Sequence, residues 1–299
     1  MGSLSRPQLR ALVHVRAPRR IVLDMLEFVG GLNIPLQGEQ QPHGYLEDSI
    51  YILIYHDIST HGYDKLVTMI SHWYPNKHNS LRTNCQRLRT ALGEWARTKF
   101  RIGNLDEWVQ AAADTRPHEQ PQNVNIWIDS TDFQIQRGKD MGKKSPVWSF
   151  KLNAPGRRYM VFRNGRGKVL YINGGYSPKI RDYDWIETHA DWLNTTFRGA
   201  TLIGDNDYRT AMRYINTAEI TVHAPYSAPR GRGAEDRPQL TAQQETYNAR
   251  VRTKRARIEN FFGGLETKFP ILKNAWAEDV LQLDALVRYA AAIMSELKE

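Results

Sequence analysis

Cysteine and long apolar runs are the two features that this sequence most lacks. The chain of 299 residues has a single cysteine, Cys85, which excludes an internal disulfide and a thiolate zinc cluster. Its apolar runs fall short of the roughly 18 residues that a membrane-spanning helix needs. The first twenty residues are broken by Arg and Pro, unlike a signal-peptide core, and Arg6 breaks the pattern for N-terminal myristoylation. We therefore expect an intracellular protein in a reducing compartment, with no membrane partner.

Positive charge, by contrast, is abundant. The 41 Lys and Arg residues outnumber the 32 Asp and Glu residues, so the formal net charge is +9. With 41% hydrophobic residues, the chain can form one large domain or two smaller ones. A positive surface potential attracts polyanions. Nucleic acid is therefore the leading partner class, although many basic proteins of this size bind nothing acidic.

The first 115 residues have helical patterns. Helices are predicted over residues 45–59, 63–74 and 80–100. In the third helix, arginines that lie off the apolar face are the candidate DNA contacts, namely Arg82, Arg87 and Arg89. Short helices, a polar turn and a basic third helix predict a helix-turn-helix-like DNA-binding region. The alternative is a helical bundle with solvated arginines.

Residues 116–299 change to a pattern rich in strands. Strands are predicted over residues 124–129, 147–152, 157–164, 169–175, 200–205 and 218–225. The segment 163–168 ("RNGRGK") indicates a hairpin turn, and residues 182–197 predict a helix. A long basic helix and a final apolar helix end the chain. This order predicts an α/β domain that includes the C-terminal helices.

Three acids stand out in this second region. Asp129 and Asp205 each end a short apolar strand, and Glu259 lies on the basic helix. Carboxylates without a Cys or His cluster favour hard ions such as Mg²⁺ or Mn²⁺ over zinc. Two such ions about 4 Å apart can promote phosphodiester chemistry. Acids at strand ends more often cap a turn or the next helix, so their spacing alone does not identify a site.

The sequence segments around these acids resemble the motifs of one known family. The four segments are "WIDSTDFQI" (127–135), "GGYSPKIRD" (174–182), "LIGDNDY" (202–208) and "YNARVRTKRARIENFFGGLETKFPIL" (247–272). In this order they resemble the motifs of the PIF/Harbinger group of DDE transposases. The resemblance covers roughly residues 124–273.

This resemblance implies a ribonuclease H-like catalytic domain, with a mixed sheet flanked by helices. It implies that Asp129, Asp205 and Glu259 bind two Mg²⁺ or Mn²⁺ ions, and that Asp182, Asn248 and Arg255 are auxiliary residues of the site. The family activity is to cut DNA at transposon ends and to join the freed 3′-hydroxyl to target DNA. A domesticated, non-catalytic DNA-binding protein and a structure-specific nuclease are the alternatives.

Two segments depart from the family pattern. Ser130, Thr131 and Asp132 stand where the family often has Gly-Thr-His after the first acid, and strand alternation predicts that Asp132 turns away from Asp129 and has a structural role. Asp207 stands where the family usually has Gly, and it can share a strand face with Asp205 and compete with it as a ligand. The three acids themselves are all present.

Further partners follow from the resemblance and from the basic segments. Two transposon ends are cut together, so we expect a homodimer or higher oligomer, and the family also allows a separate DNA-binding partner protein. Basic candidates for DNA binding outside the first region are Lys143, Lys144, Arg230, Arg232 and Arg252. The run "RVRTKRAR" fits both phosphate contact and a nuclear localisation signal. For a eukaryotic source we expect a nuclear protein.

Overall fold

The computed structural model describes residues 3–37, 45–74, 77–115, 124–227 and 239–297. In chain order the helices are α1 (Arg6–His14), α2 (Arg19–Gly31), α3 (Tyr45–Ile58), α4 (Tyr63–Ile70), α5 (His78–Lys99), α6 (Leu105–Thr115), α7 (Asp182–Thr188), α8 (Ala190–Thr196), α9 (Asn206–Ala211), α10 (Ala242–Lys268) and α11 (Val280–Glu296). The strands are β1 (Asn125–Gln134), β2 (Trp148–Ser149), β3 (Ala154–Arg163), β4 (Val169–Tyr176), β5 (Thr201–Ile203) and β6 (Thr221–His223). Within these described ranges, no helix has the length and apolar character needed to cross a bilayer.

The chain forms two compact units that differ from the predicted regions 1–115 and 116–299. The helical unit consists of Met1–Phe100, Phe133–Lys139 and Gly264–Glu299. The sheet unit consists of Arg101–Asp132 and Asp140–Gly263. The C-terminal helix α11 thus belongs with the N-terminal helices, because it packs against α5. The predicted boundary at residue 115 does not separate the two units.

Helix α5 contacts four other helices of the helical unit. It packs against α2, α3, α4 and α11, and the apolar side chains predicted to share one face are all buried, namely Leu81, Cys85, Leu88, Leu92 and Trp95. The three helices predicted over residues 45–100 are present as α3, α4 and α5. The helical character is therefore confirmed, whereas the helix-turn-helix interpretation stays a prediction.

Arg89 requires a correction. Its side chain is fully buried, and its Nη2 atom lies 2.7 Å from Oδ1 of Asp57. Its Nη1 atom lies 3.2 Å from a carboxylate oxygen of Glu278. A buried guanidinium needs such partners to offset the loss of water. The prediction that Arg89 contacts DNA is therefore wrong, because its guanidinium is buried and paired with carboxylates inside the helical unit.

The sheet unit contains a mixed sheet. Its strand order is β2-β3-β1-β5-β6, and β4 also pairs with β3. Strands β3 and β4 are antiparallel, as the hairpin turn predicts, whereas β1, β5 and β6 are parallel. Gly167 in that turn has φ 87°, a conformation that favours glycine. A mixed sheet flanked by helices agrees with the α/β class and is consistent with the expected ribonuclease H-like domain.

Two strands differ from their predicted lengths. The strand predicted over residues 124–129 continues to Gln134, so Asp129 lies within β1 rather than at its end. The strand predicted over residues 147–152 is only Trp148–Ser149, because the chain turns at residues 150–153. Asp129 is therefore flanked by β-strand residues on both sides in the chain.

The two faces of β1 have different neighbours. Ile126 and Ile128 lie in the apolar core together with Trp185, Phe197 and other buried side chains of the sheet unit. Residues between them point to the opposite face, where Nε1 of Trp127 donates a hydrogen bond to the carbonyl of Lys254 on α10 at 2.8 Å. Alternation therefore places Asp129 on the same face as Trp127, the face that α10 contacts.

Candidate active site

Three carboxylates from separate elements meet at one edge of the sheet. Asp129 comes from β1, Asp182 is the first residue of α7, and Asp205 follows β5. One oxygen from each lies within 4.8 Å of the others. The parallel register of β1 and β5 explains part of this arrangement, since Trp127 pairs with Ile203. Asp129 and Asp205 each stand two residues beyond that pair, so they emerge side by side.

Asp205 both caps a helix and belongs to the carboxylate group. It is the N-cap of α9, and its Oδ1 atom accepts a hydrogen bond from the backbone N–H of Asp207 at 2.8 Å. A backbone hydrogen bond from Tyr208 acts on the same carboxylate. Asp207 lies in the first turn of α9, so the predicted strand face shared by Asp205 and Asp207 does not exist. Asp207 instead supplies a backbone donor that fixes Asp205.

Asp182 is oriented by two side chains that sequence reasoning missed. The hydroxyl of Ser130 donates to its Oδ1 atom at 2.5 Å, and the hydroxyl of Tyr208 donates to its Oδ2 atom at 3.4 Å. Tyr208 is the last residue of the segment "LIGDNDY", and its place in that motif is the signal that could have identified it. Its ring packs so closely on Gly204 that a Cβ there would lie 2.4 Å from a ring carbon. Glycine is therefore required at position 204.

Burial and nearby acidic charges raise the pKa values of all three carboxyl groups. The pKa of Asp129 is raised to about 7, first by burial and then by the nearby charge of Asp182, while Arg255 acts in the opposite direction. Burial is also the main reason that the pKa of Asp182 is raised to about 6. The pKa of Asp205 is raised by burial as well. Such a group gains stability from a proton or a cation.

Oxygen ligands without nitrogen or sulfur suit hard divalent cations such as Mg²⁺ and Mn²⁺. All three groups offer carboxylate oxygens, and they converge closely enough to be ligands of one ion. The donor set therefore fits a divalent metal.

The comparison with protein families agrees with this geometry. A family model described as DDE superfamily endonuclease matches residues 128–295, which is more than half of the chain. The chain belongs to this family. No curated protein matches it. Membership in a DDE endonuclease family implies a DNA substrate and a nuclease activity that uses divalent metal, and the matched residues include all three carboxylates.

Glu259 lies outside the carboxylate group. The glutamate sits on α10 with its side chain 58% exposed, and its Oε1 atom is 3.3 Å from Nη2 of Arg255. Arg255 in turn lowers the pKa of both Asp129 and Asp205 by its charge. The structure therefore brings together Asp129, Asp182 and Asp205, and Arg255 links Glu259 to them electrostatically.

Helix α10 is fixed to the sheet by contacts to its backbone. In addition to the bond from Trp127, Nη1 of Arg163 donates to the carbonyl of Arg257 at 2.9 Å. The guanidinium of Arg163 also lies 4.5 Å from the ring centre of Phe261. Phe261 and Ile258 are both buried, as their helical spacing predicts. These anchors set the position of Arg255 and Glu259 on the helix.

Asn248 has a structural contact in this arrangement. Its Oδ1 atom accepts from the backbone N–H of Tyr226 at 2.7 Å, and its Nδ2 atom donates to the carbonyl of the same residue at 2.9 Å. Both ends of the amide are therefore occupied by the segment that follows β6. Its observed contacts hold that segment against α10.

Asp132 also has a structural contact, as alternation along β1 predicts. Its carboxylate lies 2.7 Å from Nε of Arg158 and accepts from the hydroxyl of Ser149 at 2.6 Å. Arg158 reaches further, since its Nη1 atom is 3.9 Å from Asp182. Asp132 is thus linked to the site through Arg158. Arg158 belongs to no motif, so sequence reasoning missed it.

The remaining predicted DNA contacts occupy different surroundings. Lys143 and Lys144 are exposed in the segment before β2, and Arg252 is exposed on α10. Arg82 is exposed and pairs with Glu278 at 3.6 Å, whereas Arg87 donates to the carbonyl of Pro35. Arg230 and Arg232 lie outside the described residues. The exposed members stay predictions as DNA contacts.

Proposed function

We propose that the protein is a transposase of the PIF/Harbinger type that cuts DNA at transposon ends and joins the 3′-hydroxyl to target DNA. The observation that carries this proposal is the convergence of Asp129, Asp182 and Asp205 in a DDE superfamily endonuclease. The proposed cofactors are two Mg²⁺ or Mn²⁺ ions. When bound, such ions polarise the phosphodiester and increase the acidity of the attacking water or hydroxyl.

The contribution of the chain itself is to hold ligands and phosphate in place. The backbone N–H of Asp207 fixes one oxygen of Asp205, and Ser130 with Tyr208 fixes the carboxylate of Asp182. These bonds limit rotation of the carboxylates, which reduces the entropy lost on binding a ligand. These hydrogen bonds support the proposal, because they hold the carboxylates in position before the substrate binds.

Arg255 and Glu259 complete the proposed site. Glu259 is one helical turn from Arg255, and Arg255 acts on two of the three aspartates. We propose that the Arg255–Glu259 pair separates in the complex, so that Glu259 joins the metal ligands and Arg255 contacts phosphate. Guanidinium groups bind phosphate well because their donors match its geometry.

The wider assembly remains part of the proposal. Transposon ends and target DNA are the proposed partners, with the exposed lysines and arginines in contact with phosphate. A helix-turn-helix-like role for the N-terminal helices, a homodimer or higher oligomer, a separate DNA-binding partner protein and a nuclear location belong to the same proposal. They rest on the family resemblance and on the charge of the chain.

A plasmid-nicking assay tests the catalytic assignment. Supercoiled DNA is incubated with Mg²⁺ or Mn²⁺ and the parent protein, Asp205→Asn or Glu259→Gln. Asparagine keeps an acceptor for the helix cap, so Asp205→Asn separates ligand loss from cap loss. We expect about a 100-fold or larger fall in nicking for both variants, as for other losses of a group that stabilises a transition state. Asp191→Asn, an exposed acid on α8, is the matched control, and equal rates in all proteins would contradict the assignment.

A non-catalytic DNA-binding protein is the second candidate. The observation that favours it is the position of Glu259 outside the carboxylate group. Binding of DNA without nicking by the parent, in either metal, would support this candidate. Nicking without transfer of a pre-cleaved 3′ end to a target plasmid would instead indicate a structure-specific nuclease.

A further inference from the structure

Phe150 is an aromatic side chain that the fold leaves uncovered. It is 74% exposed and stands first in the turn that joins β2 to β3. Trp148, two residues earlier, is buried. A single exposed apolar side chain is common on protein surfaces, so the surroundings of Phe150 decide whether it marks a contact.

The turn that carries Phe150 is held firmly at its base. The hydroxyl of Ser149 donates to Asp132 at 2.6 Å and accepts from the backbone N–H of Leu152 at 3.1 Å. Asn153 closes the turn with φ 49°, a left-handed conformation that asparagine tolerates better than most residues. Phe150 is therefore presented by a defined hairpin rather than by a loose loop.

The same hairpin is connected to the carboxylate group. Asp132 binds Arg158, whose Nη1 atom donates to the carbonyl of Ile180 at 2.8 Å and lies 3.9 Å from Asp182. Ile180 is 36% exposed and stands two residues before Asp182. One arginine thus links the Phe150 turn, the exposed Ile180 and a carboxylate of the candidate site.

Exposed lysines accompany this apolar pair. They are Lys143, Lys144, Lys151 and Lys179. The ammonium group of Lys179 donates to the carbonyl of Lys144 at 2.8 Å, so the two segments that carry these lysines lie together. We call Phe150, Ile180 and these four lysines the hairpin surface. Lysines around an exposed aromatic ring combine phosphate attraction with a stacking platform, a chemistry that suits nucleic acid.

We propose that Phe150 stacks on a nucleobase of DNA bound at the carboxylate group, while the lysines of the hairpin surface hold the flanking phosphates. The occupant is DNA, because the surface is both cationic and aromatic and is linked through Asp132 and Arg158 to the proposed DNA endonuclease site. Apolar side chains that enter between bases unstack and bend a duplex. Phe150 therefore keeps the DNA distorted near the bond to be cut, a role that rests on the proposed function for the place of cleavage.

Salt-dependent binding separates stacking from charge attraction. The probe is a fluorescein-labelled 30-base-pair duplex with a central nick, titrated with the full chain in Ca²⁺ at several salt concentrations and followed by anisotropy. We expect Phe150→Ala to weaken binding about tenfold with an unchanged slope of log affinity against log salt. Phe150→Trp restores the affinity. Lys143→Ala with Lys144→Ala lowers the slope by about two units, since each phosphate contact contributes about one.

Leu281 provides the matched control. It is 68% exposed on α11 in the helical unit, and we expect Leu281→Ala to leave affinity and slope unchanged. An unchanged affinity for Phe150→Ala would overturn the proposal. So would a change in oligomeric state by sedimentation with unchanged DNA affinity, because that result would assign Phe150 to a protein interface.

Photo-crosslinking locates the contact directly. In a duplex that carries 5-iodouracil, we expect crosslinks in the tryptic peptide 145–151, with fragmentation that assigns them to Phe150 and their loss in Phe150→Ala. This result is independent of cleavage. If the parent does not nick DNA but Phe150 crosslinks, the proposed function fails and the base contact stands. If the parent nicks DNA and Phe150→Ala binds, nicks and crosslinks like the parent, the base contact fails and the proposed function stands.

Discussion

Among the individual residues, Asp129 shows the clearest link between burial and stability. Its pKa is raised to about 7 in the folded chain, above the ordinary value near 4. An acid of this kind binds its proton more tightly when folded, so its stabilising contribution is complete below about pH 4 and is lost as the pH rises through about 7. Without a cation, the folded protein is therefore destabilised at alkaline pH.

Asp129→Asn removes this repulsion. In EDTA at pH 8, we expect the variant to unfold at a higher temperature than the parent, with a free energy of unfolding greater by on the order of 1–3 kcal/mol. At pH 5 the difference shrinks, because the parent carboxyl is then protonated. Thermal unfolding followed by circular dichroism measures both. Asp191→Asn should unfold at the same temperature as the parent at both pH values. A stability gain of Asp129→Asn that does not vary with pH would contradict the electrostatic cause.

Cation binding should displace protons from the same carboxyl groups. The pKa values of Asp129 and Asp182 are raised to about 7 and about 6, so a metal ion must compete with protons below neutral pH. We expect the affinity for Mn²⁺ to rise by up to about tenfold per pH unit for each proton released. Titration calorimetry in two buffers of different ionisation enthalpy counts those protons. Equal heats in both buffers would exclude proton release.

Residues of the site differ in how well the sequence reveals them. Asp129, Asp182 and Asp205 stand in recognisable segments, and strand register accounts for the meeting of two of them. Arg158 has no such signal, and although Ser130 stands in the first segment, its bond to Asp182 depends on a residue far away in the chain. Glu259 illustrates the reverse case, since its motif predicts a ligand whereas its side chain pairs with Arg255.

At the scale of secondary-structure elements, the buried charge of α5 has the largest expected effect on stability. Arg89 is fully enclosed and binds Asp57 of α3. Removal of one partner from a buried ion pair leaves the other charge uncompensated and costs about 3–5 kcal/mol. We expect Arg89→Met to lower the free energy of unfolding by that amount, as measured by urea denaturation. The salt slope of DNA binding should stay unchanged while the variant is folded.

Arg82 on the same helix is the matched control for Arg89. Its own side chain is 46% exposed and lies 3.6 Å from Glu278, so water screens its charge and the pair contributes little. Arg82→Ala should change stability by less than about 0.5 kcal/mol. A similar loss in both variants would contradict the structural role of the buried pair.

Periodicity predicts elements better than it predicts their ends or partners. The apolar stripe of α5 is recognisable in the sequence, but the burial of Arg89 is not, because its partners come from α3 and from residue 278. Likewise β2 is shorter than predicted. A left-handed residue at Asn153 and the hydrogen bonds of Ser149 decide where that strand stops, and neither appears in an apolar pattern.

For the molecule as a whole, the formal charge of +9 predicts DNA binding that is sensitive to salt. If six or more phosphates are contacted, affinity should fall at least about 1,000-fold between 50 and 200 mM salt. Arg252→Ala should lower the slope by about one unit, whereas Arg97→Ala should not, since Arg97 already pairs with Glu94 at 3.0 Å. Anisotropy titrations supply the slopes, and a parent slope below about two would contradict an extended phosphate interface.

The choice of segments that form each unit is the property least predictable from the sequence. A change from helical to strand-rich patterns near residue 115 is visible in the sequence, but the return of the last residues to the helical unit is not. Local periodicity shows that α11 has an apolar face, whereas the choice of α5 as its partner is a long-range contact. Only the folded structure reveals that choice.

The packing of α11 against α5 also has a consequence for synthesis on the ribosome. Nearly 200 residues separate the end of α5 at Lys99 from the end of α11 at Glu296. At roughly 5–20 residues per second, this stretch takes about 10–40 seconds to translate. Throughout that interval the nascent N-terminal helices expose the apolar surface that α11 later covers. The newborn chain is therefore a natural client for chaperones, and its yield should depend on them more than that of a protein whose units are contiguous.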